Sequence, residues 1–311
     1  MSTLRIGSRG SKLALWQANF IRDELARIHR ETAEIIIIKT SGDRFQQAGV
    51  NQVGTKGVFV KELEDALLES RVDLAVHSMK DVPTEVAMGL LFPAIYRREE
   101  VRDCLIAREG RKFKELPLGA RLGTSSLRRQ AQLRYVRPDL EVRELRGNVD
   151  TRLRRLEEGR YDAIVLAKAG LDRLGCSDRI TDIFSTEVML PAAGQGALGM
   201  ECRADDKRVA ELLAALDDAD TRAGVTAERA LLAELEGGCQ VPLGAWGRME
   251  GGQLVLEACV LSADGSEHMR ERATAAPQSE AADLGRGLAR KLLAAGAGRI
   301  LQMAGRAKYG K

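Results

Sequence analysis

Apolar residues along the first third of the chain alternate between the spacing of strands and the spacing of helices. Short apolar runs predict strands at residues 4–7, 34–39 and 72–76. Between them, apolar residues at helical spacing predict helices over residues 13–25 and 60–70. Strands that alternate with helices are typical of an α/β layer, in which ligands bind at the carboxyl ends of the strands.

The same alternation starts again near residue 101. Gly123-Thr124-Ser125-Ser126 opens a predicted helix that continues to about residue 136 and stops before Pro138. The elements predicted after it are a strand (140–145), a helix (149–158) and a strand (163–167). These residues therefore predict a second α/β unit, and the glycine-rich segment 191–196 is the predicted connection back to the first.

The pattern changes again near residue 218. Thr226 is the predicted N-cap of a helix that ends at residue 235 or 236. A strand over 254–261 and an amphipathic helix marked by Leu284, Leu288 and Leu292 follow, which predicts a small α+β domain. The predicted domains are residues 1–98 with 195–217, residues 99–194, and residues 218–311.

Composition agrees with a soluble globular protein and narrows its location. The chain has 311 residues, of which 44% are hydrophobic and 30% are charged. No apolar run approaches the ~20 residues that span a bilayer, and residues 1–7 lack the apolar core of a secretion signal. We therefore expect a cytoplasmic protein without membrane association.

Cysteine and histidine usage excludes several classes of site. The five cysteines are odd in number and contain no Cys-x-x-Cys pair, which argues against a disulfide framework and a zinc ribbon. The three histidines are scattered, so neither a His-rich metal site nor a Ser-His-Asp hydrolase is expected. The sequence predicts no metal.

Basic residues are concentrated in two stretches although the net charge is only +3. Residues 121–160 contain eleven arginines and six acids, and residues 284–311 contain seven basic residues and no acid. Aromatic residues make up only 4% of the chain, so little is available to stack nucleic-acid bases. This pattern favours small anionic ligands over nucleic acid.

Hydroxyl and basic side chains follow predicted strands in both α/β units. In 123–129, hydroxyl residues, the start of a helix and two arginines would together hold a carboxylate or phosphate. An ordinary capped helix with solvated arginines is an equally good interpretation of this segment alone. Residues 146–155 add further arginines to the same unit, and residues 8–12 repeat the arrangement after the first strand. Two anion sites in two α/β units predict a ligand with several negative groups lying between them.

Two further segments could carry chemistry. Lys80 and Asp81, after the strand that ends near His77, could act as a general acid or base, although a surface ion pair is the commoner interpretation. His77 could equally be a hydrogen-bonded core residue. Cys239 lies in a Gly-Gly-Cys loop just past a predicted helix, where the negative end of the helix dipole disfavours a thiolate. Without further information it would be an ordinary free cysteine.

These segments occur together, and in the same order, in one known family. The chain closely resembles hydroxymethylbilane synthases, also called porphobilinogen deaminases, from about residue 4 to residue 244 and more loosely beyond. The segments that carry the resemblance are VHSMKDVP (76–83), GTSSLRRQ (123–130), LRGNV (145–149) and LEGGCQVP (235–242).

The resemblance implies two periplasmic-binding-protein-like α/β domains and a small C-terminal α+β domain. It also implies a dipyrromethane cofactor on Cys239, held by a thioether. Four porphobilinogen units would add to it, each with loss of ammonia, and water would release the linear tetrapyrrole 1-hydroxymethylbilane for porphyrin and heme biosynthesis. Family membership favours a monomer. The alternative without the resemblance is a two-lobed, non-enzymatic anion-binding protein, which needs no covalent anchor at a cysteine.

The resemblance also assigns roles to individual residues. Asp81 and Lys80 would be catalytic, with Asp81 stabilising the azafulvene cation. The cofactor-binding residues would be Ser78, Lys80, Asp81, Thr124, Ser126, Arg128, Arg129, Arg146, Gly147 and Cys239. The substrate-binding residues would be Arg9, Ser11, Lys56, Phe59, Arg146, Asn148, Arg152, Arg173 and Gln195. Residues 43–58, the expected active-site loop, depart from the family pattern at Gln47, Gln52 and Thr55.

Overall fold

Alternating strands and helices form two five-stranded sheets, and a sheet of three strands follows them. The structure, a computed structural model, describes residues 3–40, 60–235, 241–276 and 280–309. In chain order the strands of these ranges are β1 (Leu4–Ser8), β2 (Ala33–Ile37), β3 (Leu74–Ser78), β4 (Leu90–Tyr96), β5 (Asp103–Ala107), β6 (Arg121–Gly123), β7 (Glu141–Arg143), β8 (Ala163–Ala167), β9 (Asp182–Ile183), β10 (Leu198–Arg203), β11 (Leu243–Glu250), β12 (Gln253–Leu261) and β13 (His268–Ala275). The α-helices are α1 (Lys12–His29), α2 (Lys61–Leu68), α3 (Leu127–Val136), α4 (Val149–Glu157), α5 (Lys168–Arg173), α6 (Lys207–Ala214), α7 (Ala219–Glu234), α8 (Ala281–Ala294) and α9 (Ala297–Tyr309).

The chain divides into two compact units, residues 1–99 with 196–222 and residues 100–195 with 223–311. The predicted α/β class, with two sheet-and-helix layers and a small C-terminal sheet, is confirmed. The chain passes from the second unit back to the first between residues 195 and 196, inside the glycine-rich segment 191–196. The division into three domains remains a prediction.

The sheet of the first unit has the strand order β2-β1-β3-β10-β4. β2 and β3 run parallel to β1, whereas β10 is antiparallel to β3 and β4. Successive strand residues point to opposite faces, so Leu74 packs with α1 and α6 on one face and Ala75 packs with α2 on the other. Helices on both faces leave the strand ends as the edges where polar side chains can collect.

The five-stranded sheet of the second unit has the order β7-β6-β8-β5-β9 and repeats this arrangement. β7 and β8 run parallel to β6, and β5 is antiparallel to β8 and β9. Leu133 of α3 covers one face, while α4 and α5 cover the other through Leu153 and Leu171. The antiparallel direction of β5 places its first residue, Asp103, opposite Ala167 at the carboxyl end of β8.

The three-stranded sheet, also in the second unit, has the antiparallel order β11-β12-β13. Leu231 of α7, Leu288 of α8 and Ile300 of α9 pack together with Leu256 of this sheet. On its other side, Ala131 of α3 packs with Leu190, Cys259 and Leu261. Helix α3, whose N-terminus forms part of the candidate anion site, therefore packs against the C-terminal sheet.

The prediction that Thr226 caps a helix is wrong. Helix α7 begins at Ala219, so Thr226 lies inside it. The side chain of Asp218 accepts a hydrogen bond from the Thr221 amide at 2.8 Å and thereby satisfies a free N–H of the first turn. Aspartate and threonine are both favoured at N-caps, so the sequence allows a start at Asp218 or at Thr226. Buried Ala223 and Ala227 extend the apolar face of the helix far enough to favour the earlier start.

Candidate active site

In the first unit, the predicted catalytic residues Lys80 and Asp81 lie directly after the buried strand β3. A single 3-10 turn over Met79–Asp81 follows Ser78. Met79 is buried, and its amide donates to the Ala197 carbonyl at 3.1 Å. Because Met79 anchors the turn in the core, Lys80 is left half-buried and Asp81 is exposed. The carboxylate of Asp81 is thus accessible to a ligand on a rigidly held turn.

Two hydroxyl groups of the first unit lie near the ends of the neighbouring strands β1 and β3. The amide nitrogen of Gln17, a buried residue of α1, donates to Ser78 Oγ at 2.9 Å. This bond uses an acceptor position of the hydroxyl and leaves its proton for donation to a ligand. Ser11 is the N-cap of α1 and accepts from the Ala14 amide at 3.3 Å. Arg9 lies between the end of β1 and this cap.

His77 belongs to the core. Its Nε2 lies 2.9 Å from Glu201 Oε2, and both side chains are buried between β3 and β10. Of the two sequence interpretations, the structure therefore selects the hydrogen-bonded core residue. The imidazole cannot reach a ligand from this position without a rearrangement of the strands.

In the second unit, three hydroxyl groups organise the loop between β6 and α3. Ser126 caps the helix, with its Oγ 3.4 Å from the Arg129 amide. Thr124 Oγ1 accepts from the Ser126 amide at 3.3 Å, and Ser125 Oγ accepts from the Leu145 amide at 3.0 Å. The hydroxyl residues that predicted an anion site thus also fix the shape of the loop.

The two arginines at the start of α3 turn inward and share one carboxylate. Arg128 Nη1 donates to Asp103 Oδ2 at 2.7 Å, and Arg129 Nη2 donates to Asp103 Oδ1 at 2.7 Å. Arg129 Nε adds a bond of 3.1 Å to the same Oδ1. Relative exposure is 4% for Arg128, 6% for Arg129 and 0% for Asp103. The interpretation of these arginines as solvated surface residues is wrong.

Gln195 also belongs to this group of side chains. Its Nε2 donates to Asp103 Oδ1 at 3.0 Å and to the Val101 carbonyl at 2.7 Å, and the residue is 1% exposed. The structure therefore places this predicted substrate contact behind the arginines. We call Asp103, Arg128, Arg129 and Gln195 the Asp103 cluster.

The charges of the Asp103 cluster do not cancel. Burial alone would raise the pKa of the Asp103 carboxyl, but the guanidiniums of Arg128 and Arg129 outweigh burial and hold that pKa well below its usual range. Burial lowers the pKa of Arg128, while the Asp103 carboxylate opposes this effect. A guanidinium stays charged in proteins, so two cations face one anion and the cluster carries a net charge of +1. Such a site favours an added carboxylate.

A second group of predicted residues follows β7. Arg146 forms a half-exposed ion pair with Glu144, with 2.6 Å between Nε and Oε1. Gly147 has φ +110°, and a Cβ there would lie 2.8 Å from Thr151 Cγ2, so the turn requires glycine. The Gly147 carbonyl accepts from Arg152 Nε at 2.7 Å. Asn148 precedes α4, and its side chain makes no cap hydrogen bond.

One further predicted residue lies in the second unit, and the others lie outside the described residues. Arg173, in α5, is buried. Lys56, Phe59 and Cys239 lie outside the described residues, as does the expected active-site loop over 43–58. Across the described ranges, no group of three His, Cys, Asp or Glu residues could hold a metal ion. No helix in the same ranges is long and apolar enough to cross a bilayer.

Asp103 is the residue that sequence reasoning missed. The signal was an acid at the head of the apolar run 104–107, because an aspartate in a buried strand requires a cationic partner. The partners themselves are 25 and 26 positions away in sequence. Only the sheet register brings them together.

Three cysteines of the described ranges are poor nucleophiles. Burial raises the pKa of the Cys104 thiol to about 12 and that of the Cys202 thiol to about 11. Burial likewise raises the pKa of Cys259 to about 11. Cys176 is partly exposed. Because the thiolate is the reactive form, covalent chemistry at the three buried thiols is disfavoured.

Comparison with known proteins covers nearly the whole chain. Residues 4–211 match the family described as "Porphobilinogen deaminase, dipyromethane cofactor binding domain", and residues 223–294 match "Porphobilinogen deaminase, C-terminal domain". The chain is 51% identical over 301 residues to a porphobilinogen deaminase of Syntrophotalea carbinolica. The aligned residues cover 96% of this chain and 95% of the relative. It is 52% identical over 300 residues to a porphobilinogen deaminase of Trichlorobacter lovleyi, with 96% of each chain covered. A solved periplasmic substrate-binding protein from Coxiella burnetii aligns with 69% of this chain and 92% of its own, at 13% identity and a TM-score of 0.42.

Proposed function

The chain belongs to the porphobilinogen deaminase family of transferases, and from this membership we propose how its residues share the reaction. The enzyme condenses four porphobilinogen molecules head to tail, with loss of one ammonia from each, and water then releases 1-hydroxymethylbilane. The observation that carries this function is the match of residues 4–211 to the cofactor-binding domain. The linear tetrapyrrole enters porphyrin and heme biosynthesis.

The dipyrromethane cofactor, when bound, supplies the pyrrole end that is extended. The residues present fit such a group, because its acetate and propionate side chains require buried or partly buried cations. Arg128 Nε is buried and has no acceptor among the described residues, and the Asp103 cluster is net positive. Arg128 and Arg129, with Thr124 and Ser126 beside them, would hold these carboxylates. The other proposed cofactor-binding residues of the described ranges are Ser78, Lys80, Asp81, Arg146 and Gly147.

Substrate carboxylates are assigned to the cations that follow other strand ends. Arg9 and Ser11 follow β1, and Arg146, Asn148 and Arg152 follow β7. Arginine pairs a carboxylate in a two-pronged geometry, so these positions suit the acetate and propionate of porphobilinogen. Arg146 must exchange its ion pair with Glu144 for the ligand, and that pair is exposed enough for the exchange to cost little.

Asp81 is the proposed catalytic carboxylate. Each addition breaks the C–N bond of the substrate's aminomethyl group, expels ammonia and leaves positive charge delocalised onto the pyrrole nitrogen. The Asp81 carboxylate, held on the turn after β3, would stabilise that charge more strongly than it stabilises the neutral substrate, which lowers the barrier. Lys80, half-buried beside it, would supply a cation for substrate carboxylates.

Cys239 is the proposed attachment site. It lies in the GGCQVP segment that matches the family motif, and burial makes Cys104, Cys202 and Cys259 unsuitable. We further propose a cytoplasmic monomer that acts on porphobilinogen and has no nucleic-acid or membrane partner. Low aromatic content and the confinement of the candidate cations to strand ends support a small-molecule ligand.

Intact-protein mass spectrometry tests the proposal directly. We expect the purified chain to carry the mass of two pyrrole units and the Cys239→Ser variant to lack both the adduct and the activity. Cys176→Ser is the matched control, because Cys176 is the partly exposed thiol of the described ranges. A Cys239→Ser variant that still carries the adduct would contradict the attachment site. An unmodified, inactive wild-type chain would favour the anion-binding alternative.

A further inference from the structure

The Asp103 cluster contains a residue for which the reaction gives no direct use. Asp103 is fully buried, lies at the first position of β5 and accepts four hydrogen bonds from three side chains. A carboxylate so placed is shielded from any ligand by the groups that surround it. Its possible effect on a ligand is therefore exerted through Arg128 and Arg129.

The geometry fixes both guanidiniums from two sides. Arg128 Nη1 bonds Asp103 and also donates to the Leu190 carbonyl at 2.7 Å. Arg129 bonds Asp103 through two nitrogens, and its Nη1 donates to the Val165 carbonyl at 3.0 Å. Each arginine thus has its planar group held by a carboxylate and by a backbone carbonyl. Little rotational freedom remains to be lost when an anion binds.

The far side of Asp103 is fixed as well. Gln195 donates to Asp103 Oδ1, and the preceding Gly194 amide donates to the buried Glu228 carboxylate at 2.6 Å. The segment that carries Gln195 is therefore held against α7. This arrangement holds the Asp103 carboxylate in place when an anion binds to the arginines.

Charge explains why a single acid is present. Without Asp103, two buried guanidiniums would repel each other and both would require a partner. A second acid would bring the cluster to neutrality and remove its attraction for an anion. One carboxylate makes the arginine pair stable when empty and still leaves a net charge of +1.

We propose that Asp103 is a positioning residue for cofactor assembly, which clamps Arg128 and Arg129 in the orientation that receives the cofactor carboxylates. This inference rests on the proposed function, since it assumes that these arginines hold the cofactor. Gln195, assigned to substrate by family resemblance, acts in this arrangement as the support of Asp103.

The test follows adduct formation on protein produced without porphobilinogen and then incubated with it. Asp103→Asn keeps the size of the side chain, removes its charge and should slow addition of the first two pyrrole units by at least about tenfold, as residues behind a ligand set do elsewhere. Asp103→Glu restores the charge on a longer arm and should recover part of the rate. Thermal unfolding of each variant is measured in parallel.

Asp162→Asn is the matched control. Asp162 bonds Arg121 through both oxygens in the same sheet, at 2.7 and 3.1 Å, but it lies before β8 and away from the cluster. We expect this variant to lose stability and to keep the wild-type rate of adduct formation. Equal slowing in Asp103→Asn and Asp162→Asn would show a general effect of stability and overturn the proposal.

A second variant covers the case in which Asp103→Asn does not fold. Gln195→Leu keeps much of the side-chain volume and removes the hydrogen bond that supports Asp103, so it should also slow adduct formation by several-fold. Wild-type rates in a folded Asp103→Asn, or in Gln195→Leu where only that variant folds, would overturn the inference. Arg128→Ala and Arg129→Ala test the proposed function separately, because normal adduct formation in both would remove these arginines from the cofactor site itself.

Discussion

Two glycines of α8 should respond in opposite directions to the same substitution. Gly285 faces α7, and a Cβ at this position would overlap the Ala227 carbonyl oxygen and lie 2.9 Å from Ala230 Cβ. Gly287 lies two residues later on the exposed side, and a Cβ there would meet nothing within 4 Å. Gly285→Ala and Gly287→Ala therefore separate the cost of helix contact from the effect of helix propensity.

The magnitudes follow from these contacts. Alanine in a helix is favoured over glycine by about 0.8–1 kcal/mol, so Gly287→Ala should raise the free energy of unfolding by roughly that amount. Gly285→Ala gains the same energy of helix propensity. However, α8 must move away from α7 by roughly 1 Å to relieve the overlap and restore van der Waals contact. Overpacking of this kind costs about 1–3 kcal/mol or more. Because the atom of α7 that a Cβ would meet belongs to the backbone and cannot rotate away, we expect a cost in the upper part of that range. Gly285→Ala should therefore lower the free energy of unfolding.

Urea unfolding monitored by circular dichroism measures both variants against the wild type. The midpoint should fall for Gly285→Ala and rise for Gly287→Ala, with the denaturant dependence unchanged. If Gly285→Ala were as stable as Gly287→Ala, the close approach of α7 and α8 would be refuted. If Gly287→Ala were also destabilised, propensity would not dominate at the exposed position, and the reasoning on magnitude would be wrong.

Further predictions concern catalysis, thiol reactivity, the core and acid stability. Asp81→Asn should fold and reduce the rate of pyrrole addition by at least about 100-fold, whereas Asp81→Glu should keep part of that rate. Single-turnover mass spectrometry measures both rates, and a wild-type rate in Asp81→Asn would exclude the Asp81 carboxylate as the catalytic group. Iodoacetamide at pH 8 should leave three thiols of the native protein unlabelled, as peptide mapping would show: Cys104, Cys202 and Cys259. His77→Ala removes the hydrogen-bond partner of the buried Glu201 side chain and should cost at least about 1–3 kcal/mol in urea unfolding, whereas unchanged stability would contradict the buried pair. The depressed pKa of Asp103 contributes stability that is complete above the unfolded value of about 3.9 and is lost as pH falls through the folded value, so Asp103→Asn should flatten the fall in melting temperature below pH 4.

Local patterns were sufficient for the elements that position the site. The sequence predicted β8 at its observed bounds and α4 to within one residue, because a short apolar run and an amphipathic repeat ended by Gly159 are strong local signals. The turn after β3 was also placed correctly, since Pro83 and the polar run before it end the strand. Residues at strand ends could therefore be proposed as ligands without knowledge of the fold.

Long-range partners could not be predicted in the same way. For Arg128 and Arg129 the local pattern left a solvated and a ligand-binding interpretation open, because their partner, Asp103, is set by the antiparallel pairing of β5 with β8. Gln195 lies in a loop in sequence and in the core in the structure. Each of these polar side chains is buried through contacts with residues that are distant in sequence. The local spacing of apolar residues contains no information on such contacts.

Two ion pairs show why the number of arginines alone is a poor guide to anion binding. Arg5 in β1 donates from its backbone amide, Nε and Nη2 to Asp73, and Arg121 in β6 makes the same three bonds to Asp162. Asp73 comes immediately before β3, just as Asp162 comes immediately before β8. Each pair thus joins the amino ends of two parallel strands, on the edge opposite the one that carries the candidate ligand-binding residues.

Position along the strand therefore distinguishes two groups of arginines in these two sheets. An arginine at the start of a strand can reach an acid that precedes the neighbouring parallel strand, and both groups are then neutralised within the sheet. An arginine after the end of a strand, such as Arg9 or Arg146, lies at the edge where the helix N-termini and loop amides also favour negative charge. Arg128 and Arg129 belong to this second edge, and their shared acid leaves them with the excess positive charge that the arginines of the first edge lack.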